Sequence, residues 1–228
     1  MRATKLGKVK ALELVKDWNL WPRYESQALD ATNLARIREA IKAGEELPPI
    51  IVDIKTNRIV DGFHRHEAYL KEFGDTTEIT VEFREYEKES EVFKDAVRLN
   101  AKTGLPLSPR DKVHAILVMK KLKIPAVEQA KVLGMTDEHR LRILKNRTAT
   151  TSTGENIPLP AGAMALAGKK LNKKEEHFAR TSNGSLPVLH IRLLLNALRA
   201  NVICTDTEIT LLMELQGEIV RVLGKEAA

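Results

Sequence analysis

The part of the sequence that most constrains the fold is the segment IIVDIKTNRIVDGFHRHEAYLKEFG. Its β-branched run at 50–52 indicates a strand, and the polar residues 55–57 are typical of a tight turn. Residues 58–60 then predict the second strand of a hairpin, which ends at Asp61-Gly62. A short helix follows directly and ends at Gly74. The segment therefore predicts a hairpin whose second strand runs into a helix through a glycine.

The glycine at this strand-to-helix corner suits phosphate binding. Gly62 lets the backbone turn sharply and approach a ligand closely, and the helix start exposes unpaired N–H groups at the positive end of the helix dipole. An anion is stabilised at such a position, and His64, Arg65 and His66 add hydrogen bonds and charge. The alternative is structural, with Asp61 capping the helix and the basic residues facing water. Spacing alone leaves both interpretations open.

The flanking sequence predicts a domain of mixed α and β structure. Apolar residues at helical spacing between 31 and 44 indicate a helix before the hairpin. The stretch EITVEF, 78–83, alternates as a strand does, and an apolar face from Val92 to Val97 indicates a further helix. We therefore expect an α+β domain over residues 1–104.

The basic charge is concentrated in one short segment. The chain of 228 residues has a formal net charge of +6. Residues 108–150 carry ten Lys and Arg against four Asp and Glu, which equals the whole excess, whereas 1–107 and 151–228 are nearly balanced. This localisation is the electrostatic footprint expected of a nucleic-acid-binding module, and a solvated basic helix has a similar composition.

Composition excludes several other classes of protein. The single cysteine, Cys204, cannot form an internal disulfide or a multi-cysteine zinc site. The sequence contains no run of about 18 apolar residues, so we expect no membrane span. The basic N-terminus lacks the pattern of a signal peptide. These features predict a cytoplasmic, nucleoid-associated protein.

Residues 105–150 predict an all-α helix-turn-helix domain. Ser108 and Pro109 mark the start of its first helix as N-cap and first helical residue. Gly134 supplies the left-handed conformation that a turn between two later helices needs, and Thr136 caps the second of these helices. We expect that second helix to enter the major groove of DNA.

The second helix of the turn carries the candidate DNA contacts. They are polar or basic residues at its cap or along its length: Thr136, Glu138, His139, Arg140, Arg142, Lys145 and Arg147. Arginine can read guanine, and lysine neutralises phosphate. Arg140 fits the pattern poorly, because many helix-turn-helices have a branched apolar residue at this distance from the turn glycine. The alternative is a small helical subdomain with a solvated basic face.

The remainder of the chain, 151–228, predicts a helical region. The polar stretch TATTSTGENIPLP indicates a linker into it. Two apolar helices then predict a hairpin, formed by 186–201 and by a helix that opens with a capping box from Thr205 to Glu208. This hairpin either packs on the preceding domain or serves oligomerisation.

The stretch DGFHRHEAYLKEFG, preceded by a helix and LPPIIVD, resembles the N-terminal domain of the ParB/sulfiredoxin-like superfamily. Members carry a Gly-x-x-Arg element at this corner that grips the phosphates of a nucleotide, and Gly62 and Arg65 match it. The stretch DAVRLNAKTGLPLSPRDK resembles the helix and linker that lead to a DNA-binding domain in ParB-like proteins. The resemblance covers residues 15–150. It implies an α+β nucleotide-binding domain followed by a helix-turn-helix domain.

Departures from the family pattern narrow the chemistry. Sulfiredoxins have a catalytic cysteine where this chain has Phe63, which argues against reduction of a sulfinic acid. ParB proteins that bind CTP have a Glu-Asn pair on a following helix, matched here by Leu99 and Asn100. Asn100 is retained and the acidic metal ligand is not, so we assign no metal ligand. The cofactor implied is a nucleotide, CTP or another nucleoside tri- or diphosphate, with or without Mg²⁺.

The resemblance also assigns site residues. Arg23 lies at about the position of an arginine that precedes the first helix in ParB-like domains and helps to form the nucleotide pocket. The implied phosphate site comprises Arg23, Gly62, His64, Arg65, His66 and Asn100. In serine kinases of the superfamily, the aspartate of a similar element belongs to the active site. Asp61 is therefore a catalytic candidate, with Glu25 as an acid or base.

Two functions are compatible with these features. The first is a ParB-like DNA-binding protein for plasmid, phage or chromosomal partition or for transcriptional regulation, in which phosphate binding biases how a dimer sits on double-stranded DNA. Its expected partners are DNA, a second copy of the chain, and a partner motor or regulatory protein. The alternative is a nucleotide-dependent enzyme, a small-molecule kinase or phosphohydrolase. A nuclease is disfavoured, because the sequence has no cluster of carboxylates to hold two metals.

Overall fold

The predicted hairpin forms, and it lies at one side of a four-stranded sheet. In chain order the strands are β1 (Arg2–Lys10), β2 (Ile50–Asp53), β3 (Ile59–Asp61) and β4 (Glu78–Glu85). They lie in the order β1-β4-β2-β3. β1 and β3 are antiparallel to their neighbours, whereas β2 and β4 run parallel with Ile50 opposite Val81. A parallel pair needs a crossover connection, and the helix after Gly62 provides it.

Asp53 fixes the turn of the hairpin. Its side chain is buried, and its carboxylate accepts the Lys55 backbone N–H at 3.2 Å and the Thr56 hydroxyl at 2.6 Å. Asn57 adopts the left-handed conformation, with φ of 54°. The polar residues between the two strands therefore act as the tight turn that the sequence predicts.

Helices cover both faces of the sheet. They are α1 (Ala31–Lys42), α2 (Phe63–Phe73) and α3 (Glu89–Lys102). α2 packs on one face through Phe63, against a cluster that includes Trp21, Ile50, Val52, Ile59, Ile79 and Val81. α3 lies on the other side, where it shares a cluster with Ile51 and Val60. The N-terminal part is therefore the α+β domain that the sequence predicts.

The computed structural model describes residues 2–24, 29–102, 106–181, 194–195, 197–200, 202 and 205–223. Contacts divide the chain into two units, Met1–Asn183 and Gly184–Ala228. Glu25, Cys204 and most of the first helix predicted for the C-terminal hairpin lie outside the described residues.

Three helices follow the α+β part and share its core. They are α4 (Pro109–Lys121), α5 (Ala126–Val132) and α6 (Asp137–Arg147). Ser108 caps α4 through a reciprocal capping box with Asp111. Gly134, with φ of 64°, makes the turn between α5 and α6. One apolar cluster joins α3 to these helices through Ala115, Ile116, Met119, Ile124 and Leu133.

The stretch predicted as a linker is instead a small hairpin. β5 (Thr148–Thr150) pairs antiparallel with β6 (Asn156–Pro158). Ala149 and Ile157 lie opposite each other and are buried in a cluster completed by Leu159, Ala163, Leu171 and Ala179, the last of which lies in α7 (Lys173–Thr181). The linker prediction was wrong because the alternation of Thr and Ala is a strand signal that the polar composition concealed.

In the C-terminal unit, α8 (Asp206–Leu223) begins with the predicted capping box. The Thr205 hydroxyl accepts the Glu208 backbone N–H at 3.3 Å, and the Glu208 carboxylate accepts the Thr205 backbone N–H at 3.0 Å. Within the described ranges, no helix has the length and apolar character that crossing a membrane requires.

Candidate functional site

Gly62 forms the corner between β3 and α2. It is the N-cap of α2 with φ of 110°, and no described side chain caps this helix end. A Cβ at this position would lie 3.0 Å from Arg65 Nη2 and 3.1 Å from Ile50 Cγ1. Only glycine therefore fits, both for its backbone conformation and for the space. The structural alternative, in which Asp61 caps the helix, was wrong, so the first N–H groups of α2 can receive an anion.

Asp61 pairs with Arg65 beside the corner. Arg65 donates to Asp61 Oδ2 at 2.6 Å and to the Pro48 carbonyl at 3.0 Å. The Asn100 amide lies 3.4 Å from Asp61 Oδ1 and donates to the Ala96 carbonyl at 2.9 Å. Asp61 is thus the counter-charge of Arg65, and Asn100 joins α3 to the same group. The structure brings three of the predicted site residues together here.

His64 contributes a neutral ring to the corner. Its Nε2 accepts the backbone N–H of Asp30, the N-cap of α1, at 3.0 Å. Burial, and then the charge of Arg23, lower the pKa of His64. Since Nε2 is an acceptor, the ring proton lies on Nδ1. His64 therefore orients the start of α1 and does not bring the positive charge expected from the sequence.

His66 does not belong to the site. Its side chain is buried, and its Nε2 donates to the Ala11 carbonyl at 2.9 Å. Burial lowers the pKa of His66, which keeps the ring neutral. The prediction that His66 binds phosphate was wrong, because its ring is buried against the Ala11 carbonyl and does not line the cleft.

The corner opens into a cleft of about 470 Å³ between α1, β2 and α3. Its lining includes the charged side chains of Arg23, Arg36, Asp61, Arg65 and Glu82. It also includes the apolar side chains of Trp21, Ile37, Leu47, Pro48, Pro49, Ile51 and Leu99. Glu82 is engaged by Arg84 at 2.6 Å. The lining therefore combines cationic and apolar side chains beside a helix N-terminus, as a site for a phosphate-bearing ligand would.

The donors of the cleft fit an anion better than a metal. Leu99 places an alkyl side chain at the position where the resemblance expects an acidic ligand, and Asp61 is already paired with Arg65. Among the described residues, His, Cys, Asp and Glu form no group of three or more that could hold a metal ion. The nucleotide would thus be held by the α2 N-terminus, Arg65, Arg23 and Arg36.

Arg140 differs from the other candidate DNA contacts. It is buried at 8% exposure, donates to Asp137 at 2.6 Å and lies 3.4 Å from the Gln129 side-chain oxygen of α5. Arg140 therefore occupies the buried position where an apolar residue was expected, and it links α6 to α5. The prediction that it contacts DNA does not agree with this burial.

The remaining candidates lie on the outer side of α6. Thr136 caps the helix, since its hydroxyl accepts the His139 backbone N–H at 3.2 Å. Glu138, His139, Arg142 and Lys145 are exposed, and Arg147 is half-buried at the end of the helix. Arg142 and Lys145 are one turn apart and project from the same side. α6 thus presents a short basic surface to solvent, while the buried Arg140 links the other side of the helix to α5.

The sequence did not predict a basic hollow that the structure forms at the start of α6. Lys112 of α4, Lys131 of α5 and His139 of α6 surround the turn at Gly134. Arg36 in the cleft was missed as well; it lies beside Asn33, to which it donates at 3.1 Å. The signal for Arg36 was its place next to the apolar stripe of α1. No sequence signal pointed to Lys112 and Lys131, because the residues around the hollow come from three separate helices.

The solved structures that resemble this chain include ParB proteins. A pNOB8-like ParB N-domain has a TM-score of 0.38 at 16% identity, over 69% of this chain and 59% of that chain. A C-terminally truncated ParB from Caulobacter crescentus has been solved in two complexes. With the centromeric parS site, the TM-score is 0.42 at 16% identity, over 61% of this chain and 70% of that chain. With CTP-γ-S, the values are 0.36 and 16%, over 62% and 77%.

Among curated proteins, one similar sequence is a possible regulatory protein of the streptomycin biosynthesis operon of Streptomyces griseus. It is 36% identical over 108 residues, which are 47% of this chain and 30% of that protein. The match therefore spans less than a third of the relative's length. No protein-family model matches the chain.

Proposed function

We propose that this protein is a DNA-binding transcriptional regulator of ParB-like type, in which α6 contacts double-stranded DNA and the cleft at Gly62 binds the phosphates of a nucleotide. The observation that carries the proposal is the basic outer side of α6. The arginine that anchors this helix in the core is different from the basic residues that would contact DNA. Arg140 is buried against Asp137, whereas Arg142 and Lys145 are exposed one turn apart. The curated relative supports regulation over partition.

The arrangement of α5 and α6 supports a helix-turn-helix. Gly134 makes the left-handed turn, Thr136 caps α6, and the Met135 N–H bonds to the Ala130 carbonyl at 3.0 Å, which closes the turn. α6 would lie in the major groove with Arg142 and Lys145 at base edges and phosphates. The hollow formed by Lys112, Lys131 and His139 would receive the adjacent DNA backbone.

The cleft supports nucleotide binding because some of its groups suit a phosphate and others suit a base. Backbone N–H groups at the start of α2 and the guanidinium of Arg65 would receive a phosphate. The apolar side chains of the lining, which include Ile37 and Pro49, would pack against the base. Asn100 would hold the Asp61–Arg65 pair in place and so fix where the guanidinium points.

The DNA proposal is tested by fluorescence anisotropy with a labelled duplex across a salt series. The double variant Arg142→Ala/Lys145→Ala should bind more weakly, and its slope of log K against log salt should be smaller by up to about 1.8, since each phosphate contact contributes about 0.9. The matched control is Lys5→Ala/Lys10→Ala, which removes two exposed charges from β1. Equal losses in the two variants would contradict the proposal.

Nucleotide binding is tested by calorimetry with CTP, ATP, ADP and GTP. At least one should bind, and the Arg65→Gln variant should weaken that binding by about 1.5–3 kcal/mol, the usual value of a hydrogen bond to a charged group. The control Arg38→Gln removes an arginine of α1 that pairs with Glu72 outside the cleft. Absence of binding for all four nucleotides would reject the phosphate site while leaving the DNA proposal intact.

A further inference from the structure

A short segment that leads into α7 carries a local excess of positive charge. This lysine segment, GKKLNKK at 168–174, contains four lysines and no acidic residue, and its last two residues begin α7. All four lysines are exposed, and none forms an ion pair with another residue that the structure describes: Lys169, Lys170, Lys173 and Lys174. The near balance of charge over 151–228 conceals the segment, because the acidic residues of that stretch lie outside it.

The acidic residues that directly follow the lysine segment are already engaged. Glu175 and Asn172 cap α7 reciprocally: each side chain accepts the other residue's backbone N–H at 2.9 Å. Glu176 accepts a hydrogen bond from Arg180 at 3.1 Å. The lysines also do not stabilise α7 electrostatically, since positive charge in the first turn opposes the helix dipole. The charge of the segment therefore remains available to an anion outside the chain.

The lysine segment is hydrogen-bonded to β5, the strand that directly follows α6. Three backbone hydrogen bonds join them: Gly168 N–H to the Thr148 carbonyl at 2.8 Å, Thr150 N–H to the Lys169 carbonyl at 2.9 Å, and Leu171 N–H to the Thr150 carbonyl at 2.7 Å. Leu171 is buried in the same cluster as Ala149 of β5. The segment thus lies beside β5 as a third strand would, and its position relative to the end of α6 is fixed.

This connection limits the distance between the lysine segment and the basic surface of α6. Thr150 and Lys170 are partners in a parallel bridge, and β5 begins directly after Arg147, the last residue of α6. Strand residues advance about 3.3 Å each and paired strands lie about 4.8 Å apart, so the Cα atoms of Lys145 and Lys170 are separated by about 20 Å or less. One turn of duplex DNA advances about 34 Å. One turn of a duplex is therefore long enough for both sets of basic residues.

We propose that the lysine segment is a second DNA contact, which binds the phosphate backbone beside the groove that α6 occupies. This surface goes beyond the proposed function and rests on it. Contacts to phosphates position a protein on the duplex and carry no sequence information. The segment therefore adds affinity equally for all sequences. Because each neutralised phosphate releases counterions, the four lysines together contribute up to about 3.6 to the slope of log K against log salt.

The test measures that slope for the full chain by fluorescence anisotropy with a labelled mixed-sequence duplex, and in parallel with a single-stranded RNA of equal length. The variant Lys169→Gln/Lys170→Gln/Lys173→Gln/Lys174→Gln should bind the duplex more weakly, with a slope that is smaller by up to about 3.6. Glutamine has nearly the helix propensity of lysine, so the fold is retained. The variant Lys169→Arg/Lys170→Arg/Lys173→Arg/Lys174→Arg keeps the charge and should keep the slope.

The matched control is Lys5→Gln/Lys8→Gln/Lys10→Gln/Lys71→Gln. It removes four exposed lysines of β1 and α2 and so lowers the net charge by the same amount. Its slope should change by less than about 0.9, the value of one phosphate contact.

Three outcomes would overturn the inference: equal slopes in the two glutamine variants, a slope in the arginine variant as shallow as in the glutamine variant, or a loss of affinity confined to the single-stranded RNA. The proposed function would then stand if Arg142→Ala/Lys145→Ala still lowered the slope. A wild-type chain that did not bind the duplex would overturn both.

Discussion

Replacing Gly62 by alanine tests whether the corner is built for a phosphate. The backbone at Gly62 has φ of 110°, and an added Cβ would meet Arg65 Nη2 at 3.0 Å and Arg65 Nε at 3.1 Å. Positive φ costs an L residue about 1–2 kcal/mol. Displacing Arg65 from Asp61, a pair with 15% and 20% exposure, adds about 1 kcal/mol. We expect a total loss of about 2–3 kcal/mol in the free energy of unfolding.

Gly44 provides a control that separates backbone strain from the contact with Arg65. Its φ is 74°, and nothing lies within 4 Å of the position of an added Cβ. Gly44→Ala should therefore cost only the backbone part, about 1–2 kcal/mol. Both variants are compared by urea unfolding, in which equal m-values show that the change lies in stability and not in the compactness of either state.

Ligand binding gives the second measurement. Because Arg65 must move and the approach to the α2 N–H groups is narrowed, Gly62→Ala should weaken CTP binding by at least about tenfold, or 1.4 kcal/mol. Gly44→Ala should bind CTP as the wild type does. If Gly62→Ala were no less stable than Gly44→Ala and bound CTP normally, the argument for a built phosphate corner would be refuted.

The remaining predictions concern single side chains. Arg140→Ala should lower the free energy of unfolding by about 2–3 kcal/mol in urea, whereas Arg142→Ala should change it by less than about 0.5; equal effects would contradict the burial of Arg140. Burial lowers the pKa of His114 from 6.5 to about 4. The unfolded chain thus gains a proton that the folded one does not, so stability is full above pH 6.5 and falls from there towards pH 4, by up to about 1.4 kcal/mol per unit. His114→Gln should flatten this slope in a pH series of urea unfolding. Met213 and Val220 of α8 are 68% and 65% exposed; if α8 joins two copies, glutamate at both should convert a dimer to a monomer in sedimentation equilibrium, and an unchanged mass would exclude that role. Asp61→Asn removes the counter-charge of Arg65 and should tighten CTP binding in calorimetry, whereas a catalytic Asp61 requires loss of CTP turnover in the same variant.

Local signals made much of the fold predictable. The hairpin, the glycine corner and the caps at Ser108, Thr136 and Thr205 each depend on residues a few positions apart, and each forms as expected. The edge strand β1 was missed, because its lysine-rich sequence suggests solvent and its partner β4 lies far along the chain. The β5–β6 hairpin was misread because its strands are only three residues long and their polar composition concealed the alternation.

The candidate site was predictable in position but not in the direction of its side chains. Gly62, Arg65 and Asn100 lie beside Asp61, whereas His66 turns to the Ala11 carbonyl. Neighbouring residues in a helix point about 100° apart, so a run of basic letters cannot occupy one pocket. The tertiary packing of α2 on the sheet decides which of them reaches the cleft.

Burial also decides which basic residues between 108 and 150 are available for contacts. Arg110 and Arg140 are buried: Arg110 lies over the Tyr24 ring at 4.6 Å and reaches carbonyls of β6 and α7, and Arg140 is offset by Asp137. The basic charge of this segment that is exposed to solvent is therefore smaller than the sequence count. The exposed basic residues lie on the outer side of α6, around the turn at Gly134 and at the end of α4, where Lys120, Lys121 and Lys123 are exposed. For the proposed DNA binding, the exposed charge within about a Debye length of the phosphates matters more than the total charge.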